Sequence, residues 1–87
     1  MSDINKLLEE RGKVHGDYET THSLAYSLFK TLDDHPDNKL KPSSRAMLFL
    51  DIIKTVRGIQ CPSHDDHWRD KAGYSTLIGR AESDHHK

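Results

Sequence analysis

The segment from residue 45 to residue 57 is the most apolar part of the chain, and it constrains the fold most strongly. Apolar side chains fill nearly every position from Ala46 to Ile53, so a helix made of them is apolar almost all the way round. A helix on the surface of a protein does not tolerate that pattern. We therefore expect a central helix that begins near Pro42, ends at Gly58, and is covered by neighbouring helices and by a partner chain.

Three further helices are predicted around this one. Ser2–Arg11 has one apolar stripe and is followed by Gly12, a stop signal. A second helix begins at Asp17 and ends before His35, because a residue that precedes proline avoids helical backbone. The fourth helix begins near Asp65 and is expected to turn its apolar side chains inward: Trp68, Ala72, Leu77, Ile78 and Ala81.

No segment alternates between apolar and polar residues with a period of two, so no strand is predicted. The expected fold is all-α, a four-helix bundle formed by a single domain over residues 1–87. Residues 33–42 are polar and contain two of the three prolines, which indicates an exposed loop. Residues 83–87 are expected to form a frayed tail.

The composition limits the core that this chain can build alone. A chain of 87 residues buries only about 60% of its unfolded surface, and here only 33% of the residues are hydrophobic. We therefore expect a homo-oligomer, a dimer or a tetramer, joined through the second and third helices.

The charge and the cysteine content of the chain disfavour several classes of protein. The formal net charge of -1 gives no field that attracts DNA or an anionic membrane, so neither is an expected partner. Cys61 is the only cysteine, so no intrachain disulfide is possible. The sequence shows no signal peptide and no membrane-length apolar run, and we predict a cytoplasmic protein.

Charged residues interrupt the apolar third helix every three positions, at Asp51, Lys54 and Arg57. Buried charges are costly unless they are paired or bind a ligand. Two interpretations are open. The three residues form an internal ion-pair ladder with carboxylates of the fourth helix, or Lys54 and Arg57 face the phosphates of a ligand.

The segment from His64 to Tyr74 places three carboxylates and two imidazoles at the start of the fourth helix. Asp66 and Asp70 are four residues apart and share one helix face. They belong to a solvated, capped helix start, or they hold a cation. Magnesium binds carboxylate and phosphate oxygens in preference to nitrogen and sulfur ligands, so it fits this set better than zinc. Zinc stays a less favoured alternative because imidazole nitrogens of His64 and His67 lie near the carboxylates.

A second polar cluster, His15-Gly16-Asp17, stands at the entrance to the second helix. Asp17 is expected to cap that helix, and His15 is a candidate phosphate-binding residue. Tyr18 and Tyr74 are expected in the core, although an aromatic residue beside a phosphate site is also what a nucleobase would use.

Three parts of the sequence together resemble a family of small phage-encoded proteins. They are ERGKVHGDY at residues 10–18, Lys54 with Arg57, and HDDHWRDKAGY at residues 64–74. The pattern of that family is ERGKTHGD…HKIxRI…HxDHWxDIAGYA, and the resemblance covers roughly residues 7–82. The family is in turn similar to the all-α nucleoside triphosphate pyrophosphohydrolases of MazG type, which include phage dATP/dGTP diphosphohydrolases.

The resemblance implies magnesium-assisted hydrolysis of nucleoside triphosphates between the α- and β-phosphates. The residues it implies are the metal ligands Asp66, Asp70, Asp51 and Glu19, the phosphate-binding Lys54, Arg57 and His15, and a general base, His64 or His67. The E-E-x-x-E metal motif of the MazG-type enzymes is missing here, and the third helix has basic residues where acidic ones are expected.

The missing motif favours an alternative, a non-enzymatic phage protein that binds a nucleotide or a host protein. A phosphohydrolase of HD type is a weaker alternative, suggested by His64-Asp65, because that architecture needs more His and Asp ligands over a longer chain. A DNA-binding helix-turn-helix is disfavoured because the charge is balanced and the third helix is too apolar to lie in a groove.

Overall fold

The structure, a computed structural model, describes residues 4–6 and 17–83. Residues 4–6 are helical and are labelled α1; the other helices are α2 (Tyr18–Asp33), α3 (Pro42–Gln60) and α4 (Asp65–Ser83). None of these residues lies in a strand, which confirms the all-α prediction. The remainder of the predicted first helix, His15 and the tail beyond Ser83 lie outside the described residues.

The start and the end of α2 follow from local sequence. An Asp17 carboxylate oxygen accepts a hydrogen bond from the Thr20 backbone N–H at 2.9 Å, so Asp17 is the N-cap, as predicted. The helix ends at Asp33, before His35 and Pro36. The connection to α3, residues 34–41, is mostly exposed.

The helix α3 starts at Pro42, as predicted, but its predicted end at Gly58 is wrong, because the helix continues to Gln60. Gly58 is buried inside the helix. A Cβ atom at this position would lie 2.6 Å from Cη2 of Trp68. The glycine is therefore required by the close approach of the Trp68 ring and is not a stop signal.

The helix α3 lies between α2 and α4 and packs against both, which confirms that it is central. The buried apolar residues that the structure describes are Ala25, Ile52 and Val56, with partly buried neighbours Phe29, Leu48, Phe49 and Ile53 around them. Among the described helices, none combines the length and the apolarity that a membrane crossing requires.

The inward face of α4 differs from the prediction by about one residue. His67 is the buried residue of this helix, and Ala72 and Leu77 are exposed; Trp68 is 38% exposed, but one edge of its ring lies against Gly58 of α3. Ile78 and Ala81 are half-buried, so the prediction that they turn inward is confirmed in part. The orientation of α4 about its axis depends on its polar contacts with α3, which are described below. The spacing of hydrophobic residues carries no information about polar contacts.

Candidate functional site

The three charged residues in the apolar part of α3, Asp51, Lys54 and Arg57, face two different neighbouring helices. Asp51 and Lys54 face α4, where Asp51 forms an ion pair with Lys71 and Lys54 Nζ lies 2.9 Å from a carboxylate oxygen of Asp70. The pair of Lys54 with Asp70 is the kind of ion pair that the predicted ladder requires, with a carboxylate of α4, whereas Asp51 pairs with a lysine of α4 instead. Arg57 does not join the ladder.

The Asp51 carboxylate is buried and already accepts hydrogen bonds at both oxygens. Lys71 Nζ donates to one oxygen and the Ser75 hydroxyl donates to the other. A buried carboxylate needs such partners, because an unpaired buried charge is strongly unfavourable. Binding a metal through Asp51 would require displacing at least one of these donors.

Asp66 and Asp70 lie one turn apart on α4 and both carboxylates are accessible to solvent. The hydrogen bond and the positive charge of Lys54 lower the pKa of Asp70. Asp66 lies 3.7 Å from Nε2 of His64. Glu19 belongs to a different helix, in the first turn of α2.

The predicted set of four metal ligands is not assembled in one place. Across residues 4–6 and 17–83, no three His, Cys, Asp or Glu side chains gather into a group that could hold a metal ion. Magnesium therefore stays a prediction that depends on Asp66 and Asp70 alone. Two carboxylates completed by substrate phosphates are a common magnesium arrangement.

His64 and His67, the two predicted candidates for a general base, lie side by side. Their ring centroids are 4.8 Å apart and the rings are tilted by 55°. His67 is only 1% exposed, whereas His64 is half-buried. Of the two, His64 is therefore the one that a substrate or a water molecule reaches more easily.

Arg57 points toward α2, where its Nη2 lies 3.4 Å from Nε2 of His22. Its Nε is buried and has no hydrogen-bond partner. The other half-buried cations in the part of the chain that the structure describes each have a carboxylate partner: Lys30, Arg45, Lys54 and Lys71. Arg57 alone among them has none.

This arrangement leaves a half-buried guanidinium group whose Nε is shielded from water and which has no carboxylate partner among the described residues. A contact of 3.4 Å with a ring nitrogen of His22 does not balance a full positive charge, because an imidazole supplies no negative charge. A partly buried cation without a counter-charge is destabilising, and an anion would relieve that cost. Guanidinium is well suited to phosphate, because its planar donors match two phosphate oxygens.

Two neighbouring contacts define the surroundings of Arg57. The Thr21 hydroxyl donates to the side-chain oxygen of Gln60 at 2.9 Å, which ties the start of α2 to the last turn of α3. Tyr18 stands edge-on to His22, with ring centroids 5.7 Å apart, and is 62% exposed. We refer to Tyr18, His22 and Arg57 as the α2–α3 site.

The sequence predicted only part of this site. The charge pattern predicts Arg57 as a phosphate-binding residue but gives no such role to His22. The expectation that Tyr18 lies in the core is wrong, because Tyr18 is 62% exposed, and base stacking stays the open alternative for it. The available signal was their spacing, because Tyr18 and His22 are four residues apart and share one face of α2. The helix pairing that brings this face to Arg57 is a tertiary contact.

Comparison with known proteins identifies the family. Residues 1–82 match the family described as "Domain of unknown function (DUF6378)", so the chain belongs to that family. No curated protein and no solved structure matches the chain. The family description states no activity, and the resemblance to MazG-type enzymes stays a prediction.

Proposed function

We propose that this DUF6378 protein binds a nucleotide, with the α2–α3 site as its phosphate-binding centre. The observation that carries the proposal is that the half-buried Arg57 has no carboxylate partner among residues 4–6 and 17–83. All comparable cations among the described residues are neutralised within the chain. A ligand phosphate supplies the negative charge that this one lacks.

The neighbours of Arg57 favour a nucleotide over a bare inorganic anion. Tyr18 presents an exposed aromatic ring beside His22, and stacking of a base on an aromatic ring contributes about 1–3 kcal/mol. In this proposal Arg57 binds phosphate oxygens, His22 adds a hydrogen bond, and Tyr18 stacks on the base. Lys54 contributes less, because Asp70 already compensates its charge.

The first experiment is calorimetric titration of the folded protein with dATP and with inorganic triphosphate, without magnesium. Arg57→Gln removes the charge-assisted hydrogen bonds to phosphate, which contribute about 1.5–3 kcal/mol, and should weaken both ligands about 10- to 100-fold. Arg80→Gln is the matched control, since Arg80 is an exposed arginine near the far end of α4. No binding by the parent, or equal losses in the two variants, would reject the proposal.

A second pair of variants tests the role of the base. Tyr18→Ala should weaken dATP but leave inorganic triphosphate unchanged, because only the nucleotide has a base to stack. Tyr74→Ala is the control, since Tyr74 belongs to α4, a helix that contributes no residue to the α2–α3 site. If dATP and triphosphate bind equally well to the parent, the ligand is a simple polyphosphate and the nucleotide assignment fails.

Magnesium-assisted hydrolysis is a second candidate function, and the accessible pair Asp66 and Asp70 favours it. The test is release of pyrophosphate or phosphate from nucleoside triphosphates with and without magnesium, for the parent and for Asp70→Asn. Magnesium-dependent turnover that the variant loses would establish a hydrolase. Binding without turnover would support the non-enzymatic alternative, a phage protein that binds a nucleotide or a host protein.

We also propose that the protein acts as a homo-oligomer in the cytoplasm. The small number of buried apolar residues in the described ranges, 4–6 and 17–83, supports the assembly, because a partner chain is the simplest way to bury more apolar surface.

A further inference from the structure

Arg57 and His22 constrain each other's protonation in the α2–α3 site. Nη2 of Arg57 lies 3.4 Å from Nε2 of His22. A guanidinium nitrogen donates hydrogen bonds and cannot accept them, and arginine does not lose its proton in proteins. The contact is therefore a hydrogen bond only while Nε2 of His22 carries no proton. It requires a neutral His22 whose ring proton is on Nδ1.

A positive charge on His22 is unfavourable in this arrangement. Two cations at this distance repel each other, and both side chains are half-buried, where water screens charges less than at the surface. On α2 itself, Tyr18 stands edge-on to His22, and Glu19 and Tyr26 lie about one turn away. Glu19 is exposed, so water screens its attraction for a charged imidazole. Arg57 of α3 is the charge in direct contact with His22.

A phosphate group bound to Arg57 reverses this balance. Its oxygens accept hydrogen bonds from the guanidinium group, so negative charge then lies beside the His22 ring. An opposite charge at about 4–6 Å favours the charged form of a titratable group, commonly by tenfold or more. Nε2, the ring nitrogen that faces Arg57, can also donate to a phosphate oxygen, but only if it holds a proton.

Nε2 can gain this proton in two ways. The ring can exchange its Nδ1 proton for one on Nε2 and stay neutral, or it can take up a proton from solvent and become an imidazolium. Hydrogen bonds between two charged groups are roughly twice as strong as those between neutral ones, which favours the imidazolium beside phosphate. Uptake is also accessible near neutrality, because histidine changes charge between about pH 5 and pH 8.

We infer that His22 takes up one proton when phosphate binds to Arg57, so that the α2–α3 site binds phosphate more tightly as the pH falls. The proton passes from solvent to Nε2, the hydrogen bond between Arg57 and His22 breaks, and both side chains donate to the phosphate. The inference rests on the proposed nucleotide-binding function and adds a regulation of that site by pH.

Calorimetric titration with dATP in two buffers of different ionisation enthalpy counts the protons taken up on binding. At about pH 7 the parent should take up more protons than His22→Gln, because glutamine keeps a hydrogen-bonding amide but does not titrate. Between about pH 8 and about pH 6, the affinity for dATP should rise at least about fivefold more for the parent than for the variant. Protonation of dATP itself contributes to both proteins and cancels in the comparison.

His35→Gln is the matched control. His35 is an exposed histidine beyond the other end of α2, where its Nδ1 accepts a hydrogen bond from the backbone N–H of Asp37. This variant should take up as many protons as the parent. Equal uptake by the parent and by His22→Gln would overturn the inference and leave nucleotide binding intact. If the parent binds no dATP, the proposed function fails and the inference fails with it.

¹⁵N NMR of the histidine rings of the parent gives a second readout, which does not depend on the folding of a variant. Addition of dATP at about pH 7 should move the Nε2 signal of His22 from the range of an unprotonated nitrogen to that of an imidazolium. The signals of His35 should stay in place. A His22 ring that stays neutral in the complex, with its proton exchanged from Nδ1 to Nε2, would also overturn the inference.

Discussion

Gly58 allows α3 and α4 to approach more closely than any other residue would permit. The Trp68 ring lies against its backbone, and the indole N–H donates to the Pro62 carbonyl oxygen at 2.9 Å. Both contacts fix the ring where a Cβ atom at position 58 would stand. A rigid aromatic ring held in this way cannot move aside without losing its hydrogen bond.

Gly58→Ala should therefore lower the free energy of unfolding by about 1–3 kcal/mol, the usual cost of overpacking. Gly79→Ala is the control, because nothing lies within 4 Å of a Cβ atom at that position of α4. In a helix this control should be stabilising by about 0.5–1 kcal/mol. Urea denaturation measures both values, and a Gly58→Ala protein as stable as the control would contradict the packing described here.

The buried ion pair between Asp51 and Lys71 leads to a second prediction at the level of single residues. Lys71→Met leaves the buried Asp51 carboxylate with Ser75 as its remaining partner, and should cost about 3 kcal/mol. Lys54→Met is the comparison, and its loss should be smaller because the Asp70 carboxylate stays accessible to water. If the two variants were equally stable, Asp51 would not be the buried anchor of α4.

At the level of helices, two carboxylates connect stability to pH. A backbone hydrogen bond from Thr20 lowers the pKa of Asp17 at the start of α2, and Lys54 lowers the pKa of Asp70 on α4. A group whose pKa is lower in the folded state stabilises the fold above its unfolded pKa of about 3.9. That contribution is lost as the pH falls through the folded pKa.

The free energy of unfolding should therefore decrease as the pH falls from about 5 to about 2. The double variant Asp17→Asn, Asp70→Asn should show a shallower decrease, because neither amide titrates. Asparagine also keeps a side-chain oxygen that can cap α2. Denaturation at a series of pH values measures both slopes, and identical slopes would show that these two carboxylates do not control the acid response.

Helices were predictable from the sequence where their limits depend on local residues. The start of α2 at Asp17, its end before His35 and the start of α3 at Pro42 all follow from such signals. The continuation of α3 past Gly58 and the inward face of α4 were not predictable in this way. They depend on the Trp68 ring and on the polar contacts of Asp51, which join residues far apart in the chain.

At the scale of the whole molecule, one central helix supports two distinct surfaces. Toward its C-terminal end, α3 and the start of α2 hold Arg57 and His22, whereas the middle of α3 lines an open apolar groove together with Leu28 and Leu32 of α2. The sequence predicted the central helix and named Arg57, because a charge on an apolar helix is conspicuous. It could not predict which helix Arg57 faces, because charged residues at every third position could face either α2 or α4.

The central claim is that Arg57 in the α2–α3 site binds phosphate. NMR of the guanidinium groups in ¹⁵N-labelled protein, titrated with inorganic triphosphate, tests it most directly. The account predicts that the Arg57 signal shifts in a saturable manner, while those of Arg45 and Arg69, which already have carboxylate partners, stay in place. An unchanged Arg57 signal, or equal shifts of all three, would contradict it.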